Sequence, residues 1–264
     1  MHIDLNGRVA VVTGAARGIG RDLVRRFAEE GVRTVALDVN EANLADLTQE
    51  LSGHDLPSLQ LICDVTSLED LTKAVDAAHQ EFGRIDILVN NAGVVATGSV
   101  DSLSEESWRY CHDVNLNGTF LASKAVVPHM KAQRWGRIIN ASSFAALVPT
   151  VGHTAYASAK AAVAHFSRAL AGELGPWGIT VNAYAPGMIP TQLNHFAERS
   201  PEDQDKMLDM LTVRRWGTTE DIANLVCFLC SDQAAYITGT LIDISGGKLA
   251  TQSPQAAYAS KTSL

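Results

Sequence analysis

The 264-residue sequence is poor in several features that would define other classes of protein. It has only four cysteines, too few for a disulfide framework in a chain of this length. No apolar run approaches the roughly 18 residues that a membrane-spanning helix needs. Lysine and arginine number 21 against 29 aspartates and glutamates, so the formal net charge is −8. Because an acidic surface repels phosphate backbones and anionic lipids, we expect no nucleic acid and no membrane as partners.

The cysteines also lack the spacing of a metal or redox site. Cys63 and Cys111 stand alone in apolar segments, as reduced thiols of a core do. Cys227 and Cys230 are spaced C-x-x-C, but they lie inside the helical run DIANLVCFLCSD without a second pair of thiols or flanking histidines. We therefore expect all four to pack in the core, and we expect no metal site.

The N-terminal stretch MHIDLNGRVAVVTG leaves no room for a signal peptide, because a strand-like apolar run begins at once. With reduced thiols, this predicts a cytoplasmic protein.

The composition, 46% hydrophobic and 19% charged, is typical of a globular chain. The length suits one large α/β domain.

Short apolar runs alternate with longer amphipathic stretches along the chain. The runs are rich in Val, Ile and Leu on both faces, which is typical of parallel strands covered by helices on both sides. The predicted strands cover residues 8–14, 34–39, 58–65, 85–93, 136–143, 179–187 and 240–245. The predicted helices cover residues 21–31, 41–53, 68–83, 104–131, 154–174 and 219–231.

Two segments interrupt this alternation. Residues 188–216 form a long insertion after the sixth strand, which predicts a lid or binding loop at the carboxyl edge of the sheet. The last residues are polar and rich in Ala, Ser and Gln, which is typical of a frayed end. We therefore predict a dinucleotide-binding and catalytic domain over 1–247 and a tail over 248–264.

The stretch TGAARGIG, residues 13–20, follows the first strand and opens the first helix. Glycines in this position let the backbone approach a pyrophosphate, whose charge then lies at the helix N-terminus. The turn alone is a weak signal, since any tight strand-to-helix turn favours glycine. It makes five residues candidates for cofactor binding: Gly14, Arg17, Gly18, Ile19 and Gly20.

The second strand ends at Asp38, where a carboxylate can accept hydrogen bonds from the adenosine ribose hydroxyls. The 2′-phosphate of NADP would be repelled there, so Asp38 favours NAD as the cofactor. Arg17 opposes this interpretation, because a cation in the glycine turn could bind that phosphate.

Tyr156 and Lys160, in TAYASAK, are spaced i, i+4 on a predicted helix and therefore project from one face. A free tyrosine has a pKa of about 10, and a nearby ammonium is expected to lower the pKa of Tyr156 toward a useful value. Ser143 ends a predicted strand, at the edge where ligands bind in open parallel sheets. Tyr258 and Lys261 near the C-terminus imitate this pattern. However, their spacing is i, i+3, and Pro254 leaves few residues for a helix.

Taken together, these motifs resemble the short-chain dehydrogenase/reductase family over residues 5–247. The matching positions are TGAARGIG, Asp64, NNAG at 90–93, Asn115 in DVNLNG, Ser143, Tyr156 with Lys160, and PGMIPT at 186–191. The resemblance implies a single-domain Rossmann fold with a seven-stranded parallel sheet in the order 3-2-1-4-5-6-7. It also implies a homotetramer, or less often a dimer, built partly from the helices near 104–131 and 154–174.

The resemblance further implies an active site of Ser143, Tyr156, Lys160 and Asn115. Tyr156 would exchange a proton with the substrate hydroxyl, Ser143 would hold the same oxygen, and Asn115 would hold a water linked to Lys160. Lys160 and Tyr156 would also contact the cofactor. The remaining implied cofactor contacts are Asp64, Val65, Asn91, Ala92, Gly93, Pro186, Gly187, Ile189 and Thr191.

The substrate is predicted less sharply. The expected walls, residues 94–98, 145–153 and the lid, are mostly apolar, and the possible polar contacts are His153, Gln192, Asn194 and His195. This mixture favours a secondary alcohol, a sugar or a polyol. A 3-oxoacyl-(acyl-carrier-protein) reductase is the alternative: Arg134 could dock an acidic carrier, although Trp177 stands where a second arginine is expected and the chain is acidic. A non-catalytic nucleotide-bound sensor or scaffold is the alternative of another class.

Overall fold

The computed structural model describes residues 3–53, 56–192 and 198–261. Seven parallel strands form one sheet in the order β3-β2-β1-β4-β5-β6-β7, which confirms the predicted topology. The strands are β1 (Val9–Thr13), β2 (Arg33–Asp38), β3 (Leu59–Ile62), β4 (Ile87–Asn90), β5 (Gly136–Ala141), β6 (Ile179–Pro186) and β7 (Leu241–Ile244).

Helices cover both faces of the sheet. They are α1 (Gly18–Glu29), α2 (Glu41–Leu51), α3 (Leu68–Phe82), α4 (Glu105–His112), α5 (Gly118–Gln133), α6 (Thr154–Leu174), α7 (Pro201–Leu208), α8 (Thr219–Cys230) and α9 (Gln255–Lys261). No helix in these described ranges is long and apolar enough to cross a membrane.

Each strand supplies side chains to two hydrophobic cores, because successive side chains of a strand point to opposite faces. Ala10 and Val12 pack with α1 and α8 on one face, whereas Val9 and Val11 pack with α3 and α5 on the other. All five residues of β1 are buried, as expected of a central strand. The four cysteines are buried free thiols.

Two predicted elements have different bounds in the structure. The single helix predicted over 104–131 consists of α4 and α5, joined by a π-helical turn at Asp113–Asn117. The fifth strand ends at Ala141, so Ser143 does not belong to it. Ser143 instead begins a short 3₁₀ turn, Phe144–Ala146, and its hydroxyl accepts a hydrogen bond from the Ala145 amide at 3.1 Å.

The insertion and the tail each contain a helix. α7 lies in the insertion, and the segment after it returns to the sheet before α8 begins. The tail was expected to fray, but α9 forms directly after Pro254. Proline suits the start of a helix, since the N–H that it lacks would have no partner within the helix there. The division of the chain at residue 247 stays a prediction.

The order of the strands creates a crevice at the carboxyl edge of the sheet. β1 pairs with β2 on one side and with β4 on the other, so the connections that follow β1 and β4 lead away from each other. Ligands of open α/β sheets bind where the strand order reverses in this way. The fold therefore brings the ends of β1, β2 and β4 to β6 around one site.

Candidate active site

A cleft of about 300 Å³ lies at this switch point. It contains nearly all of the predicted site residues, which come from seven separate parts of the chain. Those that line it are Gly14, Arg17, Gly18, Ile19, Asp38, Asp64, Val65, Asn91, Ala92, Gly93, Ser143, Tyr156, Lys160, Pro186, Gly187, Ile189 and Thr191.

The glycine turn requires glycine at its first position. Gly14 has a φ of +63°, and a Cβ there would lie 2.7 Å from Cα of Ala92. The amide of Asn91 ties the turn to the end of β4, because its Nδ2 donates to the carbonyl oxygens of Thr13 (3.2 Å) and Gly14 (3.0 Å). Asn91 therefore shapes the turn through its side chain.

Gly20 is predicted to bind the cofactor, but it does not line the cleft. It is buried and is absent from the cleft lining. A Cβ at Gly20 would collide with the carbonyl oxygen of Gly14 and would lie 2.5 Å from Nδ2 of Asn91. Gly20 therefore lets α1 pack closely against the turn, instead of touching a ligand directly.

Asp38 and Arg17 both line the cleft. The Asp38 carboxylate accepts hydrogen bonds from the backbone amides of Ala16 and Asn40, each at 3.0 Å. It therefore orders the glycine turn as well as lining the cleft. Arg17 is exposed at the start of α1. Asp64 is likewise held locally, by the amide and the hydroxyl of Thr66.

Tyr156 and Lys160 lie in the first two turns of α6, on the face that points into the cleft. Lys160 is only 4% exposed, and its Nζ donates to the carbonyl oxygen of Ala141 at 2.8 Å. Nζ lies 5.7 Å from the centre of the Tyr156 ring. Burial lowers the pKa of Lys160 from 10.5 to about 8, because the charged form is poorly solvated there.

The pKa of Tyr156 differs from the expectation that Lys160 would lower it. Burial of the phenol raises this pKa, and the neighbouring Ser143 hydroxyl is the group that opposes the rise. The ammonium of Lys160 is instead engaged with the Ala141 carbonyl. In the protein alone, loss of solvent around the phenol therefore outweighs the effect of the cation.

Asn115 lies behind the cleft, in the π-helical turn. Its Nδ2 donates to the carbonyl oxygens of Val94 (2.8 Å) and Cys111 (2.7 Å), whereas its buried Oδ1 has no hydrogen-bond partner within the described residues. A Cβ on Gly93 would lie 2.8 Å from this Oδ1 and 3.3 Å from Nζ of Lys160. An acceptor and a cation thus both lie close to Gly93, so a side chain at this position would crowd both of them.

These features fit a nicotinamide dinucleotide. The glycine turn lines the cleft at Gly14 and Gly18, where a backbone without side chains suits a pyrophosphate, and a carboxylate ends β2 as a ribose site requires. Behind the cleft, the Oδ1 of Asn115, which has no partner within the described residues, and Nζ of Lys160 both lie close to Gly93.

Some residues of the cleft were not predicted. Tyr184 is fully buried, and its hydroxyl lies 3.4 Å from Oδ1 of Asn91, two strands away. It reaches this far because its register partner on β5 is Ala141, whose side chain is small. Alternation along β6 could have indicated this direction. The other unpredicted lining residues are Val39, Cys63, Tyr110, Val114, Ala141 and Ser142.

The predicted substrate contacts are only partly placed. Gln192 lines the cleft, whereas His153 lies at the start of α6, where its backbone carbonyl oxygen accepts the Ala157 amide at 2.8 Å. Asn194 and His195 lie outside the described residues. Arg134 and Trp177 were expected beside the site, but they directly precede β5 and β6 and so lie at the opposite, amino edge of the sheet. Within one chain they cannot reach the cleft.

The sheet and the cleft together define a dinucleotide-dependent oxidoreductase. A family model described as "Enoyl-(Acyl carrier protein) reductase" matches residues 14–248. The 3-oxoacyl-(acyl-carrier-protein) reductase of Thermotoga maritima is 38% identical over 244 residues, which are 92% of this chain and 98% of that protein. D-threitol dehydrogenase of Mycolicibacterium smegmatis is 38% identical over 243 residues, covering 92% and 93%.

A solved structure agrees with these relatives. A putative short-chain alcohol dehydrogenase from Sinorhizobium meliloti superposes with a TM-score of 0.89 at 34% identity, covering 94% of this chain and 99% of that one. The chain belongs to the short-chain dehydrogenase/reductase family. It is therefore a nicotinamide-dinucleotide oxidoreductase that acts on CH–OH groups.

Proposed function

We propose that this enzyme uses NAD(H) to interconvert a secondary alcohol, such as a sugar, a polyol or a similar small alcohol, and its ketone. The observation that carries the proposal is that Ser143 lines the same cleft as Tyr156 and Lys160, although Ser143 follows β5 and the other two lie on α6. The bound dinucleotide supplies the acceptor or donor of the hydride. The side chains of the protein manage the proton and hold the reacting oxygen.

In the oxidation direction, Tyr156 as phenolate accepts the proton of the substrate hydroxyl, and in reduction it returns that proton. Ser143 donates a hydrogen bond to the same oxygen and stabilises the charge that develops on it. Lys160 binds the nicotinamide ribose, and Asn115 holds a water between Lys160 and solvent. The unpaired Oδ1 of Asn115 supports this last role. Because burial raises the pKa of Tyr156, oxidation should speed up as the pH rises above neutrality.

Preference for NAD over NADP follows from Asp38. Its carboxylate lines the cleft and is held by two backbone amides, so it cannot easily turn away from an added phosphate. Close repulsion between the carboxylate and a 2′-phosphate would outweigh the attraction of the exposed Arg17.

A small alcohol is favoured over an acyl carrier as the substrate. The similarity to D-threitol dehydrogenase supports a polyol, whereas the similarity to the Thermotoga enzyme supports the acyl-carrier alternative. Docking of an acidic carrier needs cations beside the entrance. Arg134, the one predicted docking cation, lies at the other edge of the sheet within a single chain.

The test compares wild-type enzyme with Tyr156→Phe on a panel of sugars, polyols, aromatic secondary alcohols and acyl thioesters, each with NAD and NADP. We expect turnover of a polyol or sugar with NAD, and a loss of about 10³-fold or more in kcat for the variant with unchanged dinucleotide affinity. Tyr236→Phe is the matched control, since Tyr236 is fully exposed. Near-normal activity of Tyr156→Phe would exclude its role, and turnover confined to acyl thioesters would favour the alternative.

A cytoplasmic homotetramer is part of the same proposal. The four buried free thiols support a reducing compartment. Exposed aromatic side chains on α4 and α5, namely Trp108, Tyr110 and Phe120, support an interface along these helices. Light scattering on the purified protein would measure the mass of the assembly, and a monomer would contradict this part.

A further inference from the structure

The C-terminal segment contacts the part of the lid that leads back to the sheet. We use "return segment" for residues 211–214, which follow α7 and precede α8. The family match ends at residue 248, so α9 lies outside the region shared with the family. The Thermotoga relative is matched over 98% of its length by 92% of this chain.

Tyr258 on α9 makes two hydrogen bonds with the return segment through its single hydroxyl. The oxygen accepts the Arg214 amide at 3.1 Å, and the O–H donates to the carbonyl oxygen of Thr212 at 2.8 Å. The hydroxyl therefore uses both its donor and an acceptor position on neighbouring backbone groups. A phenylalanine would fill the same space and lose both bonds.

Residues that precede α9 in the chain also form hydrogen bonds with the return segment. The Val213 amide donates to the carbonyl oxygen of Gly246 at 2.9 Å, and Oγ1 of Thr212 donates to that of Gly247 at 2.8 Å. Gly247 has a φ of +76°, and a Cβ there would lie 2.8 Å from Cβ of Thr212, so this close approach requires glycine.

The return segment is connected to α7, and the C-terminal segment also reaches the turn at Ser143. The Arg214 side chain donates to Asp209 at 2.8 Å and to Asp205 on α7 at 2.6 Å. On the other side, Nζ of Lys248 lies 4.6 Å from the centre of the Phe144 ring, in the residue next to Ser143. The C-terminal segment thus spans the distance from the lid helix to the turn that begins at Ser143.

We propose that Tyr258 is a positioning residue for the substrate lid: it holds the return segment in place and thereby sets the affinity for the alcohol, without touching the dinucleotide. This rests on the proposed function and on the expectation from the sequence that the insertion at 188–216 forms a lid over the substrate side of the cleft. The glycine turn, Asp38 and Asn91 form the cofactor side, and none of them contacts α9 through a hydrogen bond in the described residues.

The experiment compares wild type, Tyr258→Phe, a chain ending at Ser253, and Tyr236→Phe as the matched exposed control. We expect Tyr258→Phe to raise KM for the alcohol about three- to tenfold, with kcat and the dissociation constant for NADH changing less than about twofold, as for loss of a local hydrogen-bonded contact. The shortened chain should give the same change or a larger one. Tyr236→Phe should behave as wild type.

A second readout is independent of turnover. Tyr258 accepts the amide hydrogen of Arg214, so hydrogen–deuterium exchange of a peptide covering 211–216 should become faster in Tyr258→Phe, while peptides from β1 and α1 stay unchanged. Unchanged exchange would overturn the proposal, and so would faster exchange with an unchanged KM. If wild type turns over no alcohol at all, the proposed function fails, while the exchange result still decides whether Tyr258 holds the segment.

Discussion

Lys160 donates its buried ammonium to the carbonyl oxygen of Ala141, the last residue of the neighbouring strand β5. This bond fixes the lysine at the edge of the sheet from which Ser143 also projects, two residues further along. It satisfies one of the three hydrogens that an ammonium can donate, and Lys160 also lines the cleft. A cation is thus held ready for a ligand at a cost in stability.

That cost predicts that Lys160→Met stabilises the folded chain at neutral pH. The folded pKa of about 8 lies below the unfolded value of 10.5, so the unfolded chain binds the proton more tightly. The penalty, about 3 kcal/mol, is complete below pH 8 and disappears as the pH rises toward 10.5. We expect the variant to be more stable by about 1–2 kcal/mol at pH 7. This gain is smaller than the penalty that is removed, because the Ala141 carbonyl loses its hydrogen-bond partner.

Denaturant unfolding of both proteins between pH 7 and pH 10 measures this difference. It should shrink above pH 8, and at the alkaline end the variant should become the less stable protein. Lys206→Met is the control for loss of an ammonium at an exposed position. A variant that is less stable than wild type at pH 7 would contradict the prediction.

Gly93→Ala should inactivate the enzyme through crowding. The added Cβ would lie 2.8 Å from Oδ1 of Asn115 and 3.3 Å from Nζ of Lys160, so one of these groups must move. We expect kcat/KM to fall about 100-fold, as for displacement of a catalytic group by about 1 Å. Gly175→Ala is the control, since its backbone is helical and a Cβ there meets nothing within 4 Å. Equal activity of the two variants would show that the space next to Cα of Gly93 has no role in catalysis.

Asp38→Asn should weaken the preference for NAD. The amide oxygen of asparagine can still accept the Ala16 amide, so the turn keeps its shape while the negative charge is lost. We expect the ratio of kcat/KM with NAD to that with NADP to fall about 10- to 100-fold. Adding Arg17→Ala should remove most of the gain with NADP. A ratio that stays constant in Asp38→Asn would place the origin of the preference elsewhere.

We predict that the Trp135 side chain stabilises the fold at a position away from the cleft. Two guanidinium groups contact its ring, with Cζ of Arg8 at 3.8 Å and Cζ of Arg137 at 4.2 Å from the ring centre. Arg137 is 2% exposed, so its charge depends on such contacts. We expect Trp135→Leu to lower the free energy of unfolding by about 2–3 kcal/mol, with unchanged KM values.

The matched variant is Trp177→Leu. This ring is 37% exposed, and its two cations lie farther away, at 5.3 and 5.7 Å. We expect its loss to cost less than about 1 kcal/mol, because water screens exposed pairs. Equal decreases in the free energy of unfolding for the two variants would mean that the two cations near Trp135 add nothing beyond packing.

Much of the site could be predicted because its signals are local. The spacing of Tyr156 and Lys160 depends only on the geometry of one helix, and TGAARGIG depends only on one strand-to-helix turn. The position of Arg134 could also have been deduced correctly. A residue that directly precedes a parallel strand lies at the amino edge, opposite the cleft.

Contacts between distant segments could not be deduced in this way. Tyr258 appeared to be a chance copy of the catalytic pattern, yet its hydroxyl binds the return segment some 44 positions away. The burial that raises the pKa of Tyr156 and lowers that of Lys160 likewise depends on every element packed around them. The pattern of residues shows that an acid and a cation are present, but only the packed environment sets their pKa values.

By itself, the sequence determined the order of strands and helices, the nucleotide turn and the pair on α6, since each follows from the period of a helix or strand and from short turns. The tertiary structure alone decided that Gly20 serves packing, that Asn115 keeps a buried oxygen unpaired beside Lys160, and that the tail binds the lid. The physical reason is that solvation and close contact are set by groups far apart in the chain, which the folded sheet brings to one edge.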